Sequence, residues 1–185
     1  ITGFIRPEPH IVDVTVHAQP IHFGSLFGGG LSRLEELADG LNQAGIPSAV
    51  TDDIGKDLWA KMLYNCPLNA LGAILQVPYG HLGENENSRA LMERIVAEVF
   101  QVMQGMGYSS HWLSAKDYLQ DFYGQLLPST YGHESSMFQD IREGRKTEIE
   151  ALNGVIVEEG RKLNIDVSCN ETVRDQIIFL HDRPS

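Results

Sequence analysis

Cysteine is scarce in this sequence: Cys66 and Cys169 are the only two in 185 residues, and no C-x-x-C spacing occurs. That excludes a disulfide framework and points to a reducing compartment, by default the cytoplasm. Positive charge is also short. Fourteen Lys and Arg against 25 Asp and Glu leave a net charge of −11, and a field of that sign repels nucleic acid and anionic membranes alike. No run of about 18 apolar residues is present to span a bilayer, and no basic-then-apolar signal segment opens the chain. The glycines of FGSLFGGG lack the G-x-G-x-x-G register, because Arg33 stands where the third glycine is needed. This stretch therefore reads as a surface loop, not as a cradle for phosphate. What remains is a globular chain, 42% hydrophobic, long enough to bury a core and suited to a small-molecule partner.

The organisation changes near residue 50. IVDVTVH, residues 11–17, alternates and is β-branched, so it predicts a strand; shorter strands are expected at 21–23 and 48–50. Between them, Ser32 and Glu35 form an expected capping box, Leu31, Leu34, Leu37 and Leu41 a helical stripe, and Gly45 with Pro47 a stop. Beyond Asp52 the strands end. Helical patterns follow at about 53–76, 88–105, 113–124, 136–163 and 170–181, with VPYGHLGENEN read as a turn-rich connection. Three short strands and one helix leave a sheet face uncovered, so residues 1–51 read as the tail of a larger domain, ahead of an all-helical domain at 52–185. A chain that opens on Ile1 fits that reading. The fold class expected is α+β overall.

Two polar anomalies sit within the helical part. In DLWAKMLYNCPLNALGAIL, residues 57–75, the residues Leu58, Met62, Leu63, Cys66, Leu71, Ile74 and Leu75 supply core surface, yet Lys61, Asn65 and Asn69 recur every four residues. At about 100° per residue these three fall within roughly 80° of one another, forming one polar stripe. Snorkelling would explain Lys61 alone, and capping near Pro67 would explain either asparagine, but neither explains three in register. In SSMFQDIREGRKTEIEALNGVIVEEG a continuous helix would turn Ile141, Leu152 and Val155 inward and place Glu148 in the same arc. A carboxylate there needs a partner or a cleft. Arg145 is the ion-pair candidate, and Ser136 with Gln139 would cap the helix.

LWAKMLYNCPLNALGAIL followed by SSMFQDIREGRKTEIEALNG resembles the C-terminal half of the ketopantoate reductase family, over roughly residues 10–180. The resemblance implies the tail of a Rossmann-type domain followed by a helical domain of the 6-phosphogluconate dehydrogenase C-terminal kind. It further implies NADPH as cofactor, held mainly by a glycine fingerprint that this chain lacks, and a small 2-oxo acid as substrate. By the same resemblance Lys61 would be the general acid, Asn65 and Asn69 substrate-facing hydrogen-bonding groups, Ser136 a contact to the substrate carboxylate, and Glu148 a ligand of the substrate hydroxyl, facing Lys61. No metal is implied. The resemblance leaves a homodimer open.

The sequence departs from the family pattern at Tyr79, at His133 and, in a loop, at Ser168. Tyr79 stands where some members carry an asparagine, and His133 replaces another polar residue. A related 2-oxo-acid reductase with a different pocket accounts for both departures. A non-enzymatic helical dimerisation or binding module would account for the missing glycine fingerprint.

Overall fold

The computed structural model describes residues 2–17 and 20–183. The chain forms two compact units, residues 1–57 and 58–185.

In the first unit, β1 (Thr2–Glu8) and β2 (Ile11–His17) form an antiparallel hairpin, and β3 (Ile21–Phe23) pairs in parallel with β4 (Ser48–Val50). The β3–β4 crossover is α1 (Leu31–Gln43), so this part is one small βαβ unit. The strands expected at 11–17, 21–23 and 48–50 are present, and β1 is an addition to them. Ile11, Val12 and Val14 are all exposed, because a two-stranded ribbon has no second layer against which either face can be buried. The expected Ser32 capping box is not formed. Helix α1 starts two residues earlier than a Ser32 cap would set it, its N-cap is Gly30, and no side chain caps it. Leu37 is exposed and Ala38 is the buried residue of the helix. The stop is as read: Gly45 takes φ +81°, and Ile46 N donates to Leu41 O, a left-handed helix ending. Asn42 then uses its side-chain amide as a substitute strand partner, bonding Ser48 N and Ser48 O, each at 2.9 Å.

The second unit is helical. Helix α2 (Ile54–Leu75) runs through Pro67, and from Leu63 to Ala73 nearly every residue is buried, with Asn65 half-buried. Such all-round burial makes it the central helix of the unit. Leu58 and Leu75, read as core surface, are instead about half exposed near its ends. Around it lie α3 (Tyr79–Glu84), α4 (Glu86–Gly105), a run made of α5 (Ala115–Asp121), a π-helical turn and α6 (Leu127–Ser129), then α7 (Ser136–Arg142), α8 (Asn153–Leu163) and α9 (Ser168–Asp182). Helix α3 lies within the stretch read as turns, and its backbone is tied to a distant loop: Tyr79 N donates to His133 O and Gly80 N to Tyr131 O.

The helix expected over 136–163 is broken. Gly144 adopts φ +67°, Gly144 N bonds Ile141 O and Arg145 N bonds Asp140 O, so α7 ends in the manner a left-handed glycine permits. A single 3₁₀ turn, Ile149–Ala151, precedes α8. The periodic argument that placed Glu148 on an inward helical arc therefore fails. Leu152 is buried, but Val155 is exposed.

One buried carboxylate organises the bundle. Glu98 of α4 is 8% exposed and accepts from Cys169 N and Asn170 N at 2.8 Å and from Asn170 Nδ2 at 2.7 Å. It caps α9 from a neighbouring helix, which suits both the orphan amides and the positive end of the dipole. Glu98→Ala leaves these donors unpaired in a dry site, and urea unfolding followed by circular dichroism should show a loss of at least about 2 kcal/mol. A loss below about 0.5 kcal/mol would mean that water replaces the cap.

Candidate active site

The polar stripe on α2 is graded. Lys61 is exposed and, among the described residues, its ammonium has no ion-pair or hydrogen-bond partner; Asn65 is half-buried; Asn69 is 4% exposed. With a rise of about 1.5 Å per residue, the stripe descends roughly 12 Å from solvent into the core. Neither asparagine caps a helix.

At its deep end Asn69 is held on both sides. The Tyr79 hydroxyl donates to Asn69 Oδ1 at 2.5 Å, and Ser135 Oγ donates to Asn69 O at 3.3 Å. Ser135, 1% exposed, also accepts from Phe138 N at 2.9 Å. It is thus Ser135, not Ser136, that caps α7. A Cβ added at Gly72, one turn beyond Asn69, would lie 3.7 Å from the Tyr79 ring and 3.8 Å from Ser135 Oγ, so these three elements meet in one packed corner.

Freed from capping, Ser136 is exposed and its Oγ donates to Glu148 Oε1 at 2.9 Å. The alternative pairing of Glu148 with Arg145 is not made: Arg145 bonds Asp140 at 2.8 Å and also pairs with Glu143. The structure therefore brings together Asn69, Ser136 and Glu148 through the adjacent serines. It also attaches a condition to the role expected of Ser136. A hydroxyl has one proton, so donating to a substrate carboxylate requires release from Glu148.

Tyr79 and His133, expected to depart from the family pattern, are neighbours. The Tyr79 ring meets His133 edge to face at 5.1 Å and Tyr64 at 5.9 Å. Burial raises the Tyr79 phenol well above its ordinary value, with further contributions from Tyr64 and Glu148. It stays protonated and can donate. Tyr64, bonded to Thr130 Oγ1 at 2.5 Å, is pushed up to about 12 by burial. Burial lowers His133 from 6.5, and Glu134 opposes the shift. Among the described residues no group of three or more His, Cys, Asp and Glu is placed to hold a metal.

Residues 53–180 match the family described as ketopantoate reductase PanE/ApbA C terminal. The chain belongs to the ketopantoate reductase family. A 2-dehydropantoate 2-reductase from Aquifex aeolicus is 39% identical over 171 residues, covering 92% of this chain and 55% of the relative. One from Archaeoglobus fulgidus is 30% identical over 152 residues, covering 82% and 49%. The crystal structure of 2-dehydropantoate 2-reductase from Geobacter metallireducens GS-15 superposes with a TM-score of 0.85 at 28% identity, covering 96% of this chain and 58% of that one. The chain spans about half the length of the relatives it matches. No described helix of this ketopantoate reductase domain is long and apolar enough to cross a membrane.

Sequence reasoning singled out Tyr79 and His133 as departures but missed their contact, along with Ser135 and the Tyr79–Asn69 bond. Because burial holds His133 below its unfolded pKa, the unfolded chain takes up the proton first. Stability present at neutral pH is then lost as pH falls through 6.5 towards the lower folded value. Differential scanning calorimetry should show Tm falling less steeply in His133→Gln than in the unaltered protein between about pH 7.5 and 5. Parallel curves would remove His133 as a contributor.

Proposed function

We propose that this chain is the substrate-binding half of a cytoplasmic, NADPH-dependent 2-dehydropantoate 2-reductase, reducing ketopantoate to pantoate in pantothenate biosynthesis. The observation that carries the proposal is the α2 stripe of Lys61, Asn65 and Asn69, whose deep end is tied through Ser135 to the Ser136–Glu148 pair. On this reading residues 1–51 are the last part of a dinucleotide-binding domain. They do not fit a dinucleotide diphosphate: the three-glycine run has no fingerprint register, and Arg33 occupies the third glycine position. NADPH, the hydride source, would be held chiefly by residues outside this chain.

The chain's own groups suit a 2-oxo acid. The Lys61 ammonium hydrogen-bonds the C2 carbonyl oxygen, stabilises the negative charge that develops there, and delivers the proton that makes the alcohol. Asn65 and Asn69 orient the acid through amide hydrogen bonds. Ser136 meets its carboxylate, and Glu148 accepts from its hydroxyl. Lys61 suits the task because its head group already lies in solvent, on a rigid helix.

Expressed with the full reading frame, the protein should oxidise NADPH in the presence of ketopantoate. Lys61→Ala should lower kcat by at least about 100-fold with an unchanged circular dichroism spectrum. Near-normal turnover in that folded variant would reduce Lys61 to a solvated helix charge. Glu148→Gln should lower kcat/KM by roughly ten- to a hundredfold, the worth of a hydrogen bond to a charged group. The 185-residue chain alone should show no micromolar affinity for NADPH in a calorimetric titration; such affinity would mean that the cofactor site is misplaced.

The Tyr79–His133 ring pair favours a second reading, reduction of a different 2-oxo acid by the same chemistry. Profiling acids of graded side-chain size separates the two: ketopantoate preferred by tenfold or more in kcat/KM supports the first.

A further inference from the structure

The two ends of the Asn69 carboxamide have different surroundings. Oδ1 accepts from the Tyr79 hydroxyl at 2.5 Å. Nδ2 has no hydrogen-bond partner among the described residues. In that same set the fully buried side-chain polar atoms left unpartnered are the Tyr118 hydroxyl and Asn153 Oδ1. Asn69 Nδ2 is not among these sealed atoms, although the residue as a whole is 4% exposed. One end of the amide is bonded to protein and the other is unpartnered among the described residues.

Nothing in the backbone chooses between the two ends. The terminal torsion of an asparagine is broad and close to two-fold, so its carboxamide can present either its acceptor or its donors in a given direction. The choice falls to whatever sits on the bonded side, and here that is a phenol. Burial keeps its proton in place, and a phenol that donates selects the oxygen. The phenol is itself fixed. Its ring is pinned edge-on by His133 and Tyr64, Tyr79 N donates to His133 O at 3.1 Å, and Gly80 N donates to Tyr131 O at 2.9 Å. A side chain at position 80 would overlap the Tyr131 ring, so Gly80 is what lets this backbone lie on the 131–133 loop.

We propose that Tyr79 is a positioning residue whose hydroxyl locks the Asn69 carboxamide with its NH₂ group turned towards the substrate, so that α2 presents a donor to an electron-rich oxygen of the oxo acid. This rests on the reading of Asn69 as a substrate contact. The ring pair at Tyr79 and His133 then has a function other than bulk: His133 seats the ring, and the ring sets the amide.

Tyr79→Phe keeps the ring and its edge contacts and removes only the hydroxyl. In the full-length protein it should raise KM for the oxo acid about five- to tenfold, with kcat within about twofold and KM for NADPH unchanged. In an Asn69→Ala background the same substitution should change nothing further, since its effect passes through Asn69. Full additivity of the two substitutions would overturn the proposal. A readout that needs no turnover separates this inference from the proposed function: the side-chain NH₂ resonances of Asn69, identified by their loss in Asn69→Ala, should shift and exchange faster with water in Tyr79→Phe. Unmoved resonances overturn the positioning role. If they move in a protein that fails to reduce the oxo acid, the positioning role stands and the substrate assignment falls.

Discussion

Four helices of the second unit are joined by one buried polar chain, and the placement of the candidate site depends on it. Glu98 of α4 binds the first amides of α9 and the Asn170 side chain. Asn170 Oδ1 accepts from Asn153 Nδ2 at 3.0 Å, and that amide also donates to Cys66 O of α2 at 3.2 Å. Asn170 Nδ2 reaches Ile95 O as well. Asn153 and Asn170 are completely buried. In a dry interior each of these groups is costly to leave unpaired, so the chain of bonds allows little variation in how α2, α4, α8 and α9 are set against one another.

That clamp has chemical consequences because of where its ends lie. Cys66 directly follows Asn65 in α2, and Asn153 opens α8 five residues after Glu148. Fixing the Cys66–Asn153 contact therefore fixes the asparagine stripe relative to the segment that carries Glu148. The adjacent serines close the arrangement from the other side: one is buried against the Asn69 backbone, the other is exposed and bonded to Glu148. The many ion pairs at the surface, such as Lys162 with Glu158 and Glu159, contribute far less to this geometry, since exposed pairs are worth about 0–1 kcal/mol each.

How much of this could be read beforehand varied with the range of the interaction involved. The spacing of Lys61, Asn65 and Asn69 on one face of α2 was legible because helical periodicity is local and the segment does form one helix. The end of α1 at Gly45 and the strands at 11–17, 21–23 and 48–50 were legible for similar reasons, through turn chemistry and β-branched runs. The 136–163 helix was misread because apolar spacing continued across Gly144, where a left-handed backbone ended α7. Helix α3 was hidden because VPYGHLGENEN carries the composition of a turn, and its backbone is secured by the 131–133 loop, not by a capping signal within the segment.

The sequence by itself determined the family, the α+β class and the residue types available for chemistry, because these follow from local pattern and from motifs read in order. Only the tertiary structure decided which serine caps α7 and which one meets Glu148, since both sit at a helix start and the choice depends on contacts across 66 and 12 residues. It also decided that Tyr79 and His133 touch, and that Asn69 Oδ1 is held by the Tyr79 hydroxyl while Nδ2 has no partner among the described residues. Contacts of that kind are settled by how packed helices meet, and no periodicity within a single segment encodes them.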